Sequence, residues 1–201
     1  MIILGLTGSI GMGKSTTARM FAEEGVPVHD SDEAVHRLYA GPAAEIIGEA
    51  FPGTVVNGVV DRQRLSKLVL DNPQELRRLG ELIHPLVRAD ADAFVERHRK
   101  EGARLVVLDI PLLFETGGTD RVDSILVVTA SPEVQKQRVM ARPGMTEEKF
   151  AAILANQVSD REKRRNADFV IDTSAGMEAA RREVRGVIAK LRERDRLARK
   201  D

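Results

Sequence analysis

Gly8-Ser9-Ile10-Gly11-Met12-Gly13-Lys14-Ser15 fits the pattern G-x-x-x-x-G-K-[ST] at every fixed position. It follows the apolar run Ile2-Ile3-Leu4-Gly5-Leu6 and opens a helix-like stretch from Lys14 to Glu24. A strand that ends in a glycine-rich turn and continues as a helix aims backbone N–H groups and a positive helix end at one point. A polyphosphate is the natural occupant of such a point. The glycines admit dihedrals and close approaches that a Cβ would block. Lys14 can reach the β- and γ-phosphates, and the Ser15 hydroxyl can ligate Mg²⁺.

Strand-like and helix-like patterns alternate on either side of this loop. Such alternation predicts an α/β fold with a mostly parallel sheet flanked by helices, as in P-loop NTPases. Strands are expected over 2–7, Val26–His29, Leu105–Asp109, Ser124–Thr129 and Phe169–Ile171. Helices are expected over Lys14–Glu24, from Asp30 or Ser31 to about Tyr39, and over Ala43–Ala50. Further helices start at Ser131-Pro132 and at Thr146, the latter running to about Gln157. A long last helix carries Val184, Val187, Ile188 and Leu191 on one face, and its charged end beyond Arg192 is expected to fray. Phe51–Asp61 reads as a loop with Asn57-Gly58 as a turn signal. Residues 62–100 read as helical with breaks at Asn72-Pro73 and His84-Pro85. The expected organisation is a single domain, with a core of about 1–60 and 103–201, a helical insertion over about 61–102, and a lid over about 138–150.

The 201 residues balance 31 basic against 31 acidic side chains. That neutrality argues against a large electrostatic commitment to nucleic acid or to an anionic membrane. Cys is absent, so a disulfide framework and a Cys-ligated metal are both excluded. No basic n-region with a cleavage site opens the chain, and no apolar run approaches a membrane span, so a cytoplasmic location is expected. A monomer or weak homo-oligomer is expected.

A phosphate loop alone does not separate a kinase from a switch. A small-molecule kinase also needs a carboxylate beside the acceptor hydroxyl and cations around the moving phosphoryl group. Asp30 and Asp32 follow the second strand, where ligands collect in a parallel sheet; either can meet an acceptor hydroxyl or cap the next helix. Asp109 ends an apolar strand, where it can hold Mg²⁺ through water near Ser15 or cap a turn before Pro111. Arg138 and Arg142 are one helical turn apart, on a closing lid or on a solvated basic face. His84 and Arg88 lie in the helical stretch, and His29, His36 and His98 lack metal-ligand spacing.

Taken jointly, these residues resemble the dephospho-CoA kinase family. The resemblance covers Leu6–Thr16, Val28-His29-Asp30-Ser31-Asp32, Asp61-Arg62 with Leu65, and His84-Pro85-Leu86-Val87-Arg88. It continues through Pro111-Leu112-Leu113-Phe114-Glu115, Gln135, Arg138, Arg142, Gln157 and Ala167–Ile171. The loop is widely shared; the combination of D-x-D, H-P-x-x-R and P-L-L-F-E is far more specific. The resemblance implies transfer of the γ-phosphoryl of ATP, with Mg²⁺, to the ribose 3′-hydroxyl of dephospho-CoA. It implies Asp32 as the catalytic carboxylate, aided by Lys14 and Arg142, and places ATP on Gly11, Met12, Gly13, Lys14, Ser15 and Thr16, with Arg138 beside it. His84, Arg88, Pro111, Leu112, Leu113 and Glu115 would serve the acceptor, and Ser15 and Asp109 the metal. The family often has Arg four residues after the catalytic Asp, where this chain has His36 and then Arg37. Another small-molecule or nucleoside monophosphate kinase is the alternative, and a nucleotide-dependent switch is a further one.

Overall fold

Alternating apolar runs and capped helices produce the α/β order that the sequence predicts, with a short hairpin and one further helix added. The structure, a computed structural model, describes residues 1–70 and 72–198. β1 (Ile2–Thr7) leads through the glycine-rich loop into α1 (Lys14–Glu23), and β2 (Val28–Asp30) follows. Next come α2 (Ser31–Tyr39), α3 (Pro42–Ala50), a short hairpin of β3 (Val55–Val56) and β4 (Val59–Val60), α4 (Arg62–Val69) and α5 (Pro73–Lys100). β5 (Leu105–Asp109), β6 (Ser124–Thr129), α6 (Pro132–Met140), α7 (Glu147–Ala155), α8 (Asp160–Arg165), β7 (Phe169–Asp172) and α9 (Met177–Ala198) complete the chain.

The chain divides into two compact units, one of Met1–His29 with the chain from Arg97 onward, the other of Asp30–Glu96. The first unit is built on a sheet of order β2-β5-β1-β6-β7. β1 pairs in parallel with β5 and with β6, and β6 with β7. Leu4, Leu6, Leu105, Val107, Leu126, Val128 and Ile171 share one face and pack against Met20 and Phe21 of α1 and Val184, Ile188 and Leu191 of α9. Removing the buried part of one such leucine costs roughly 2–5 kcal/mol. The period-two alternation carries Asp109 onto the face of Leu105 and Val107, one step past the apolar run and level with Leu6. The polar ends of the strands thereby gather at the edge where the glycine-rich loop leaves β1.

The second unit buries Leu38, Ala43, Ile47, Phe51, Val60, Leu65, Val69 and Ile83 in its own core. Asp30 caps α2 by accepting from the Asp32 and Glu33 N–H groups at 2.8 and 3.0 Å, and Asp61 caps α4 in the same way.

Four expectations about elements are corrected. Phe51–Asp61 is not all loop: Asn57 and Gly58 take φ of 53° and 77°, the turn that lets Val55–Val60 pair as a hairpin. His84-Pro85 does not break the helix, because Pro85 sits inside α5. The hydrogen bond that proline lacks is offset by packing of Leu82, Ile83, Leu86 and Val87 against the second core. α8 was not expected, although Ser159-Asp160-Arg161-Glu162 is a capping sequence and Ser159 accepts from the Glu162 N–H at 3.2 Å. α9 stays helical to Ala198: Asp195 is buried against the Met1 nitrogen at 3.0 Å, and Arg194 donates to Ser124 at 2.8 Å. Residues 199–201 of the expected frayed end lie outside the described residues.

Candidate active site

The glycine-rich loop owes its shape to the elements around it. Gly13 takes φ +94° as the N-cap of α1, a conformation that L side chains rarely adopt. A Cβ on Gly11 would lie 2.5 Å from Val139 Cγ2 and 3.0 Å from the Gln135 carbonyl, so α6 fixes how closely the loop lies against it. Ile10 is held through both of its backbone polar groups. Its N–H donates to Gln157 Oε1 at 3.2 Å, and its carbonyl accepts from Gln135 Nε2 at 2.7 Å. Met12 is buried; its N–H donates to the Ser9 carbonyl, and its Sδ accepts from the Ala130 N–H at 3.0 Å. Thr173 Oγ1 donates to the Met12 carbonyl at 2.8 Å. The first-turn N–H groups of α1, at Lys14, Ser15 and Thr16, have no acceptor within the helix, and the N-cap Gly13 offers no side chain to cap them. This is an anion cradle by construction.

Lys14 Nζ pairs with Asp109 Oδ1 at 2.5 Å, with Asp109 only 1% exposed. Ser15 is exposed one residue further along the same turn. Arg138 is half-buried; its Nη1 donates to Thr173 Oγ1 at 2.7 Å and its Nη2 to the Thr173 carbonyl at 2.9 Å. A guanidinium thus stands at the α1 N-terminus and reaches the Met12 peptide through Thr173. Asp172, next in chain, is held below the usual carboxylate range by hydrogen bonds from the Ser174 backbone and side chain, with lesser help from Arg164 and Arg138. Arg142 is exposed at the end of α6, before the turn into α7.

The segment after β5 is fixed from below. Pro111 offers its carbonyl to Thr7 Oγ1 at 3.1 Å, and Leu112 is 41% exposed. Leu113 is fully buried, over Gly5 and Gly118. Glu115 Oε1 takes the Val158 N–H at 2.9 Å and pairs with the buried Lys163 at 2.8 Å.

In the second unit, Asp32 is exposed in the first turn of α2. The positive end of that helix stabilises a carboxylate there. Position 36, the departure from the resemblance, has a guanidinium beside it after all, because Arg62 Nη1 donates to His36 Nε2 at 3.0 Å. Arg37 pairs with Asp90 at 2.9 Å. Burial pushes the Tyr39 phenol up, against the opposing charge of Arg62. His84 is exposed on α5 and folds back over Gly80, and Arg88 is exposed one turn on.

The structure therefore brings Gly11–Thr16, Lys14, Asp109 and Arg138 to one place in the first unit, and places Asp32, His84 and Arg88 on the helices of the second. Nothing in the sequence marks Thr173, and the resemblance includes Gln135 and Gln157 without showing that both hold the backbone of Ile10. A Thr after a strand carries no signal by itself. Among the described residues, no group of three or more His, Cys, Asp or Glu could hold a metal ion, and no helix is long and apolar enough to cross a membrane.

Comparison with known proteins adds an independent line. A family model described as CoaE, dephospho-CoA kinase, matches residues 2–179. A Mesorhizobium japonicum protein named dephospho-CoA kinase is 70% identical over 192 residues, covering 96% of this chain and 98% of the relative. A crystal structure of TT1252 from Thermus thermophilus is 38% identical with a TM-score of 0.80, covering 94% of this chain and 97% of that one. A dephospho-CoA kinase from Campylobacter jejuni, 24% identical with a TM-score of 0.67 over 94% of this chain and 96% of that one, shares the fold.

Proposed function

The chain belongs to the dephospho-CoA kinase family, and from that premise we propose how its residues move a phosphoryl group from ATP to the ribose 3′-hydroxyl of dephospho-CoA, the last step of coenzyme A synthesis. The observation that carries the proposal is Lys14 resting on the buried Asp109 at the mouth of a loop shaped as an anion cradle.

ATP phosphates are bound by the N–H groups of Gly11–Thr16, with Lys14 leaving Asp109 to neutralise the β- and γ-oxygens. The Ser15 hydroxyl and the Asp109 carboxylate are hard oxygen donors, the set that Mg²⁺ takes alongside substrate phosphates. When bound there, Mg²⁺ supplies charge neutralisation across the transferred phosphate. Asp32 accepts the hydrogen bond of the 3′-hydroxyl and orients its oxygen toward the γ-phosphorus. Arg142 arrives with the arm that follows α6 and balances charge on the moving group. Arg138, tied to Thr173, stays as a fixed cation beside the loop. His84 and Arg88 engage the acceptor from the helical segment of about 61–102, and the whole chain works as one kinase domain. Pro111 and Leu112 line the acceptor side, held in place by buried Leu113 and by Glu115. No covalent enzyme intermediate is required, since phosphoryl transfer rests on positioning and electrostatics.

The test is purified protein with Mg-ATP and dephospho-CoA, with CoA identified by mass and ADP release followed across a panel of acceptors that includes nucleoside monophosphates. CoA formation with dephospho-CoA as the preferred acceptor is the expected result. Preferred phosphorylation of another acceptor would replace this reading.

A further inference from the structure

One residue of the glycine-rich loop, Ile10, is fastened through its N–H and its C=O to two distant points of the chain. Gln135, 7% exposed on α6, donates to the Ile10 carbonyl, and Gln157, just past α7, accepts from the Ile10 N–H. What lies between those glutamines is unlike the rest of the first unit. Every residue from Met140 to Asn156 is exposed or half-exposed, and α7 has no buried residue. Both roots of this arm are anchored. At the first, Val139 is buried against Gly11. At the second, the Val158 N–H donates to Glu115, Asp160 accepts from Thr129 at 3.0 Å, and Lys163 is buried on Glu115. The arm carries Arg142.

The geometry points to Gln135 and Gln157 as positioning residues that set the nucleotide-binding shape of the loop and the placement of the Arg142 arm together. With the N–H and the C=O of Ile10 both committed to side chains, neither of the two peptides that flank Ile10 can rotate without disturbing a root of the arm. The Gly11 N–H shares a peptide plane with the Ile10 carbonyl, so the bond from Gln135 sets its direction. A phosphate that pulls on the loop therefore pulls on both roots of the arm, and an arm that is displaced loosens the loop. This inference rests on the kinase reading above for what the arm does, but the coupling itself is read from Mg-ATP alone.

The experiment measures Mg-ATP affinity by calorimetry without acceptor, then steady-state kinetics with dephospho-CoA. Gln135→Met and Gln157→Met each remove one hydrogen bond at nearly constant volume. Each is expected to weaken Mg-ATP about tenfold and to lower kcat by a similar factor, with KM for dephospho-CoA unchanged. The double variant is expected to fall well short of the roughly hundredfold product, because both bonds act on the backbone of one residue, Ile10. Gln157→Glu still offers an acceptor to the Ile10 N–H, whereas Gln135→Glu offers no donor to the Ile10 carbonyl. The former is expected to recover affinity over Gln157→Met, and the latter to recover none, although both add the same charge. Mg-ATP affinity within twofold of the parent in both Met variants overturns the proposal, and so does full multiplicativity in the double variant. Should the Gln135 variants not fold, equal affinities for Gln157→Met and Gln157→Glu overturn it alone. A parent chain that binds Mg-ATP but makes no CoA overturns the kinase assignment and leaves the affinity comparison intact.

Discussion

Lys14 Nζ lies 2.5 Å from Asp109 Oδ1, so the lysine of the glycine-rich loop rests on the carboxylate that ends β5. The strand alternation that puts Leu105 and Val107 into the core puts Asp109 at the foot of α1. Its burial makes this pair more than a surface contact. Removing the Lys14 charge from beside this buried carboxylate destabilises the fold by about 3–5 kcal/mol, whereas loss of both charges is nearly neutral.

Lys14→Met is therefore expected to lower the urea midpoint, and Lys14→Met with Asp109→Asn to restore it. Neither variant regains turnover, because the phosphate cation is gone. Equal midpoints for the single and double variants would show that the pair does not matter to stability.

Asp109→Asn alone separates two roles. It frees Lys14 and removes a negative charge, so metal-free ATP is expected to bind at least as tightly as to the parent. Turnover with Mg-ATP is expected to fall about a hundredfold, because the amide that replaces the carboxylate carries no negative charge to hold Mg²⁺. ATP titrations in chelator and in Mg²⁺ make the comparison. A variant with parental turnover would return Asp109 to a structural role.

Asp32→Asn is expected to lower kcat by about a hundredfold or more with ATP affinity nearly kept. Asp32 is exposed, and its N–H is already capped by Asp30, so the α2 start survives the change. Circular dichroism and kinetics together check this; parental turnover would remove Asp32 from the reaction.

The loop and the strands were legible because each rests on local chemistry: glycines at forced dihedrals, apolar runs of strand length, and caps such as Asp30, Ser131 and Thr146. What stayed hidden depends on partners distant in sequence. Pro85 looks like a breaker until Leu82, Ile83 and Leu86 are seen packing into the second core. Glu115 accepts from Val158 and pairs with Lys163 through Oε1, contacts that join residues more than forty positions apart and leave no local trace. Thr173 has no motif, because its role comes from β7 ending beside the Met12 carbonyl. Val55–Val60 hides a hairpin because two-residue strands are too short for alternation to register.

Asp172 supplies a pH signature. Its carboxyl is held low, chiefly by the Ser174 backbone N–H at 2.8 Å. A depressed folded-state value stabilises the fold above the unfolded carboxylate range near pH 4, and that stabilisation is lost as pH falls through the folded value. The midpoint difference between the parent and Asp172→Ala is expected to be present at neutral pH and to shrink as pH drops below about 4. A difference constant across that window would mean that the charge contributes nothing.

Arg138 of α6 and Arg142 just past it should fail differently. Arg142 is exposed, so Arg142→Ala is expected to leave the melting temperature and Mg-ATP affinity alone while lowering kcat by about a hundredfold. Arg138 holds Thr173 by two hydrogen bonds, and Thr173 in turn holds the Met12 carbonyl. Arg138→Ala is expected to cost about 1.5–3 kcal/mol of stability, to weaken Mg-ATP, and to be partly mimicked by Thr173→Val, which removes the same link at its other end. Matching profiles for Arg138→Ala and Arg142→Ala would contradict the division between a fixed cation and a mobile one. Parental turnover in Arg142→Ala would leave that side chain as part of a solvated basic face.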